Sequence, residues 1–303
     1  MRYTKPAVPV IDQLNLLKSR GLSIADWPSA EAHLSNISYY RLRAYTFPFQ
    51  DNVHPKHPFK KPLNFEDIVA LYEFDRQLRL LVFSALERIE ISFRSQIIHQ
   101  WALTHGSHWH INPDLYRDLD KFQLSQMRLE KELNLSKERF ILHYRSKYTS
   151  PTEPACWMSL EVASFGWLSS LFANLKTCPE KRAVLKFYGL NKIELLENWM
   201  HSFSNLRNIC AHHGRLWNRR LPTHVKLPNN TDFPFITGNS VPPYKLYPVL
   251  CCIKYTLDRI NSDNQFSTAL RELISSCPLA QEHEMGFIKG WDQELLWQPV
   301  TGS

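Results

Sequence analysis

The chain has 303 residues, is 44% hydrophobic and carries a formal charge of +7 at pH 7, enough material to bury a sizeable core in about one or two domains. Only 9 glycines are present, which argues against Gly-rich phosphate loops and folds of many tight hairpins; no G-x4-G-K-[ST] motif occurs. The basic balance favours a polyanionic partner such as nucleic acid.

Helical periodicity dominates. A first helix is expected over about 8–20, with Gly21 as its stop. Pro28 and Ser29 open a second, and the stretch 37–45 forms a third that Pro48 ends. Residues 50–63, with Pro55, Pro58 and Pro62, read as a loop. Asn64 is a plausible N-cap with Glu66 and Asp67 in the first turn. From there to His105 neither Gly nor Pro appears, so the segment is one very long helix or two with a bend. At ~1.5 Å per residue a single helix would span ~60 Å.

Residues 106–118 form a loop, and 119–148 two helices broken near Ser136. The Pro-rich turn at 150–154 is too short for a flexible linker. Further helices are expected near 155–164, 167–176 and 179–188, then from Asn191 to His212 or His213 with Gly214 as the stop. Residues 221–244 carry five prolines and read as a long loop. Helices near 245–261 and 265–276 follow, and the tail with Trp291 and Trp297 packs back on the body. No convincing period-two alternation or internal repeat is present. The expected fold class is all-α, a helical bundle forming a single domain over 1–303, with an N-terminal subregion over about 1–62, a body over 63–303 and a long central helix.

The six cysteines form no C-x-x-C pair and sit among apolar residues, as reduced, buried thiols do. The start of the chain leads into an amphipathic segment rather than an apolar signal core, and no apolar run approaches the ~20 residues that cross a bilayer. A cytoplasmic protein without a membrane partner is expected.

Residues 198–231 contain no Asp or Glu but hold Arg207, Arg215, Arg219, Arg220 and Lys226, with His201, His212, His213 and His224. A phosphate approaching this segment is expected to meet only attraction. Within it stands Arg207-Asn208-Ile209-Cys210-Ala211-His212. Arg offers a planar fork for phosphate, and His exchanges protons near neutral pH. RNA brings its own nucleophile, the 2′-hydroxyl, so base, acid and cation suffice for transesterification. The expected catalytic set is Arg207, Asn208 and His212, with no metal and no cofactor.

Arg-x4-His alone is weak: roughly one such spacing arises by chance in a chain of this composition, and Arg94-x4-His99 is a second. Arg94 reads as structural, paired with Glu90 at i,i+4. Residues five apart on a helix point ~140° from each other. Arg207 and His212 therefore meet only if the helix ends near Ala211 or if two copies build the site across a twofold axis. His213 competes with His212 for the catalytic role, or caps the helix end. His213, Arg215, Arg219, Arg220, Lys226, Arg41 and Arg43 are the expected RNA contacts. Tyr39, Tyr40 and Tyr45 read as core anchors rather than stacking platforms, and Glu87 and Glu161 as buried partners of arginines. His108 and His110 read as surface residues or a minor RNA contact.

Four stretches carry a family resemblance: ISYYRLRAYTFP (37–48), FDRQLRLLVFSALERIEISFRSQI (74–97), WMSLEVASFG (157–166) and RNICAHHGRLWN (207–218). Together they resemble the Abi-like family of bacterial abortive-infection proteins, the AbiD/AbiF type. That family is similar to the HEPN superfamily of helical ribonucleases, whose pattern of Arg, a polar residue, a short spacer and His matches Arg207, Asn208 and His212. The resemblance implies an HEPN-like bundle, a homodimer, RNA cleavage at a composite site, a toxin-like role in phage defence, and restraint by a structured noncoding RNA. A non-catalytic RNA-binding dimer is the alternative, and a protein–protein scaffold a third.

Overall fold

The computed structural model describes residues 2, 4, 6–237 and 241–298, and within them the protein is built from α-helices with one two-stranded sheet. The N-terminal part comprises α1 (Val10–Ser19), strand β1 (Leu22–Ser23), α2 (Trp27–Ile37) and α3 (Tyr39–Thr46), then a 3-10 turn at Phe47–Phe49. Asp26 caps α2 by accepting from the Ser29 amide at 3.0 Å, and Pro28 sits in the first turn, where a missing N–H is harmless. The helix expected from 37 starts later, because Ser38 adopts φ 69 and ends α2 while its hydroxyl caps α3. β1 pairs in parallel with β2 (Leu63–Asn64); two residues are too few to show alternation.

α4 (Phe65–His105) is one uninterrupted helix of 41 residues, which decides for a single long helix over two joined by a bend. A reciprocal capping box of Asn64 and Asp67 starts it, and Gly106, with φ 81, stops it, a conformation only glycine adopts readily. Ile68, Leu71, Leu78, Val82, Leu86, Ile89, Phe93, Ile97 and Trp101 recur at steps of three, four and seven and are buried. That spacing is the inward stripe of a helix.

Beyond α4 come 3-10 turns at Trp109–Ile111 and Pro113–Leu115, then α5 (Leu119–Leu135), α6 (Arg139–Lys147), α7 (Cys156–Val162), α8 (Phe165–Asn174), α9 (Pro179–Phe187) and α10 (Ile193–Ala211). A long loop leads to α11 (Leu246–Ile260), α12 (Phe266–Ser276) and the short α13 (Glu282–Met285), which periodicity did not announce. α4 is the spine, with α3, α7, α9, α10, α11 and α12 all packed along it. One hydrophobic cluster runs from Leu14 to Trp297, so the tail does fold back, and Trp291 and Trp297 are buried against Tyr247. No helix among the described residues is long and apolar enough to cross a membrane.

Several side chains depart from the sequence expectation. Tyr40 is 86% exposed, not a core anchor, while Tyr45 is buried. His110 is not a surface residue: Trp109 packs on Trp101 at 5.6 Å and draws the loop inward, burying His110 fully. Glu87 and Glu161 are exposed. The acid that serves Arg94 and Arg207 is Glu90, ~60° around α4 from Glu87, on the side facing α10.

Candidate functional site

α10 buries Leu196, Trp199, Met200, Phe203, Leu206 and Cys210 against α4 and α8. Its opposite edge is polar: His201 and Asn208 are exposed, with half-buried Asn205 between them, and His212 stands exposed at the C-cap. Arg207 lies where this edge meets α4. Its side chain is 34% exposed, its Nε is 3.6 Å from Glu90 Oε2, and its guanidinium lies over the Phe83 ring at 5.8 Å. Its Nη1 also approaches Asn208 Oδ1 at 3.4 Å.

Glu90 is held from the other side by Arg94, which donates to Oε1 at 2.8 Å and to the carbonyls of Leu160 and Ala163 at 2.8 and 3.0 Å. Arg94 is thus a buried strut tying α4 to α7 and the residue that follows it. The segment 198–231 is free of acids along the chain but not in space. Glu90 puts a carboxylate beside Arg207, correcting the expectation that a phosphate meets only attraction there.

The end of α10 is a two-bond reverse turn. His213 donates its amide to Cys210 O at 3.0 Å and Gly214 its amide to Ile209 O at 2.8 Å, the pattern that closes a helix through a left-handed residue. That residue is His213, with φ 58, so the helix turns out at His213 and not at Gly214 as expected. Space at Gly214 is tight: a Cβ there would stand 3.0 Å from Ile209 Cγ2 and 3.2 Å from both Arg219 Nη1 and Ile209 O, so these neighbours would have to give way slightly.

Side chains from other elements clamp this turn. Asp75, fully buried in α4, accepts the Leu216 and Trp217 amides on Oδ1 at 2.9 and 2.6 Å. Its Oδ2 accepts the Tyr45 hydroxyl at 2.7 Å and pairs with Arg79. Arg215 donates back to Ala44 O and, at 3.3 Å, to Asn218 O. Arg41 donates to His213 O at 2.8 Å. Burial, reinforced by the Asp75 charge, pushes the Tyr45 hydroxyl far above its ordinary value, so it stays a proton donor to Asp75. Burial likewise pushes the Cys210 thiol up to about 12, which removes it as a nucleophile.

The structure therefore gathers Arg41, His213, Arg215 and Arg219 around one turn, with His212 at its entrance. Arg41 and Arg215 donate to backbone carbonyls and clamp the turn. Exposed Arg220 stacks on Tyr244 at 4.6 Å. Arg43 is half-buried, with its guanidinium 5.9 Å from the Phe47 ring. Lys226 has an exposed side chain but a pinned backbone: its amide meets Asn198 Oδ1 at 2.6 Å and its carbonyl meets Trp199 Nε1 at 2.8 Å. It thus lies beside the N-terminal third of α10, ~20 Å along the axis from His212. Among the described residues no hydrogen bond or ion pair joins Arg207 to His212, and no three potential metal ligands stand together.

Sequence reading missed Asp75, and it paired Glu90 with Arg94 but not with Arg207. A signal existed for both: each is an acid in phase with the buried stripe of α4, where an ionised side chain persists only when paired.

A helical body with an arginine and a histidine near the end of one helix, fixed by a clamped turn, defines a class of helical proteins with a polar, basic helix end. The chain belongs to the family of Abi-like proteins, whose family model matches residues 32–218. The match begins in α2 and ends at Asn218 in the clamped turn, and so contains the whole Asp75, Glu90 and α10 constellation. No curated protein and no solved structure matches the chain.

Proposed function

We propose that the protein is an endoribonuclease of the HEPN type that acts as a homodimer in abortive-infection defence. The observation that carries this reading is the placement of His212: an exposed imidazole on a rigidly clamped turn, five residues from a partly exposed Arg207. α10 ends at Ala211, yet among the described residues no hydrogen bond or ion pair joins Arg207 to His212, so a second copy is the arrangement that would bring the two groups onto one phosphate. A twofold axis beside α10 brings two arginines and two histidines around one cleft.

In that cleft one His212 takes the proton of a ribose 2′-hydroxyl, and the 2′-oxygen attacks the adjacent phosphorus. The bond to the 5′-oxygen breaks, and the other His212 gives that oxygen its proton. A 2′,3′-cyclic phosphate and a 5′-hydroxyl result. Arg207 neutralises the phosphate as charge grows in the transition state, and Asn208 orients Arg207. The scheme is complete with side chains alone. Wild type and His212→Ala, expressed side by side, test it through RNA integrity and growth. Loss of cleavage in the variant is expected, and equal cleavage removes the catalytic assignment.

A second reading is favoured by one observation: Arg207 already has a partner, Glu90. A guanidinium held in this way suits a dimer that binds and sequesters a structured noncoding RNA without cutting it. Then Arg207→Ala weakens RNA binding and flattens its salt dependence, while purified wild type leaves co-purified RNA intact.

A further inference from the structure

α3 carries a surface that the fold does not use. Tyr40 is 86% exposed and Phe47, immediately after the helix, is 47% exposed. Between them, half-buried Arg43 has its guanidinium 5.9 Å from the Phe47 ring. At 100° per residue, positions 40, 43 and 47 fall within ~60° of one another, on one face. The core takes a different arc of the same helix, through Leu42, Tyr45 and Thr46. A tyrosine so exposed loses most of the burial that ordinarily holds an aromatic ring against a protein, and nothing in the fold accounts for its position.

The third arc of α3 is fixed to the candidate site. Arg41 donates to His213 O at 2.8 Å, and Arg215 donates to Ala44 O. The exposed aromatic face therefore flanks the turn that holds His212 and His213. α3 contains no acid, and the two carboxylates that reach the turn 207–218, Glu90 and Asp75, are buried and paired with Arg94 and Arg79. Two π-faces and an arginine beside a basic turn form the combination that holds single-stranded nucleic acid: rings stack on bases, and cations track the backbone. A duplex hides its base faces and gains nothing from such a surface.

We propose that Tyr40, Arg43 and Phe47 form a stacking platform for an unpaired RNA base beside the phosphate presented to His212, making the protein selective for single-stranded RNA. The proposal rests on the ribonuclease reading for the location of the scissile phosphate, but its platform is tested by binding alone. Tyr40 and Arg43 act as positioning residues.

The test uses the full chain carrying His212→Ala, so that bound RNA is not consumed, with two probes: a fluorescent single-stranded oligoribonucleotide and its duplex. Tyr40→Ala and Phe47→Ala are each expected to weaken single-strand binding by roughly tenfold, the scale of one lost base stack. Duplex binding and the salt slope should not change. Tyr40→Phe should bind as the parent does, because the ring and not the hydroxyl makes the stack. Arg43→Ala should lower the salt slope by about one. A 2-aminopurine in the single strand should be quenched on binding, and the quench should vanish in Tyr40→Ala. Single-strand affinity unchanged by Tyr40→Ala, or equal losses for single strand and duplex, overturns the platform. Cleavage by the His212 parent combined with unchanged Tyr40→Ala binding defeats the platform alone. Tyr40-dependent binding without any cleavage defeats the ribonuclease reading alone.

Discussion

Asp75 is the most consequential buried residue of the site, and its removal has a size that follows from its contacts. The carboxylate is fully buried and pairs with Arg79, accepts the Tyr45 hydroxyl, and satisfies the amides of Leu216 and Trp217. In Asp75→Asn the amide oxygen still accepts both backbone donors, but Arg79 is left as a buried cation without its counter-ion. Breaking one side of such a pair costs about 3–5 kcal/mol. In Asp75→Ala the two amides lose their acceptor as well, at about 1–3 kcal/mol each. The sum then approaches the about 5–15 kcal/mol that holds an ordinary domain together.

Asp75→Asn should therefore fold with a lowered urea midpoint, whereas Asp75→Ala should be marginal or unfolded at room temperature. Native-state hydrogen exchange reads the local consequence: Leu216 and Trp217 amides stay protected in Asp75→Asn and lose protection in any folded fraction of Asp75→Ala. RNA cleavage should fall with that protection, since the same turn positions His212. A loss below about 1 kcal/mol in Asp75→Ala, or protected 216 and 217 amides in that variant, would refute the view that Asp75 anchors the turn.

Further outcomes are expected at other positions. His213→Gly removes a side chain from a left-handed backbone position (φ 58) that costs roughly 1 kcal/mol for a non-glycine residue. It should leave thermal stability equal or slightly higher, and should keep cleavage if His212 is the proton carrier; a variant with no cleavage reassigns that role to His213. Glu90→Gln removes the carboxylate between Arg94 and Arg207 and should cost about 2 kcal/mol in denaturation. Filter binding should show tighter RNA binding at low salt, and unchanged affinity would mean that Glu90 does not offset Arg207. His110 is fully buried with both ring nitrogens unpartnered, and burial, with the His108 charge, lowers its pKa to about 4. The unfolded chain binds this proton near pH 6.5 and the folded chain does not, so stability should fall as pH drops from about 6.5 towards 4, by about 3 kcal/mol. His110→Leu forfeits no hydrogen bond and should be at least as stable at pH 7, with a flatter acid limb in urea titrations. An unchanged limb would assign acid sensitivity to other groups.

Most of the fold was legible because the chain states its helices locally. Asn64 with Asp67, the absence of Gly and Pro up to Gly106, and apolar residues in helical phase specify α4 with little help from the rest of the molecule. The same holds for the Pro-rich loop before α11 and for the returning tryptophans of the tail. The Ser38 break was not legible, since a serine at positive φ has no compositional mark. Nor was the burial of His110, which follows from Trp109 finding Trp101.

By itself the sequence determined the helical class, the spine, the family and the chemical menu at 207–218, because these rest on neighbours within a few residues of one another. Tertiary structure alone decided which charges are free. Glu90 reaches Arg207 across a helix interface, Asp75 catches amides some 140 residues away, Arg41 and Arg215 are drawn into carbonyl contacts, and Tyr40 is left in solvent. Electrostatic and hydrogen-bond partners are chosen by distance in space, and distance in space is what a linear string of residues does not contain.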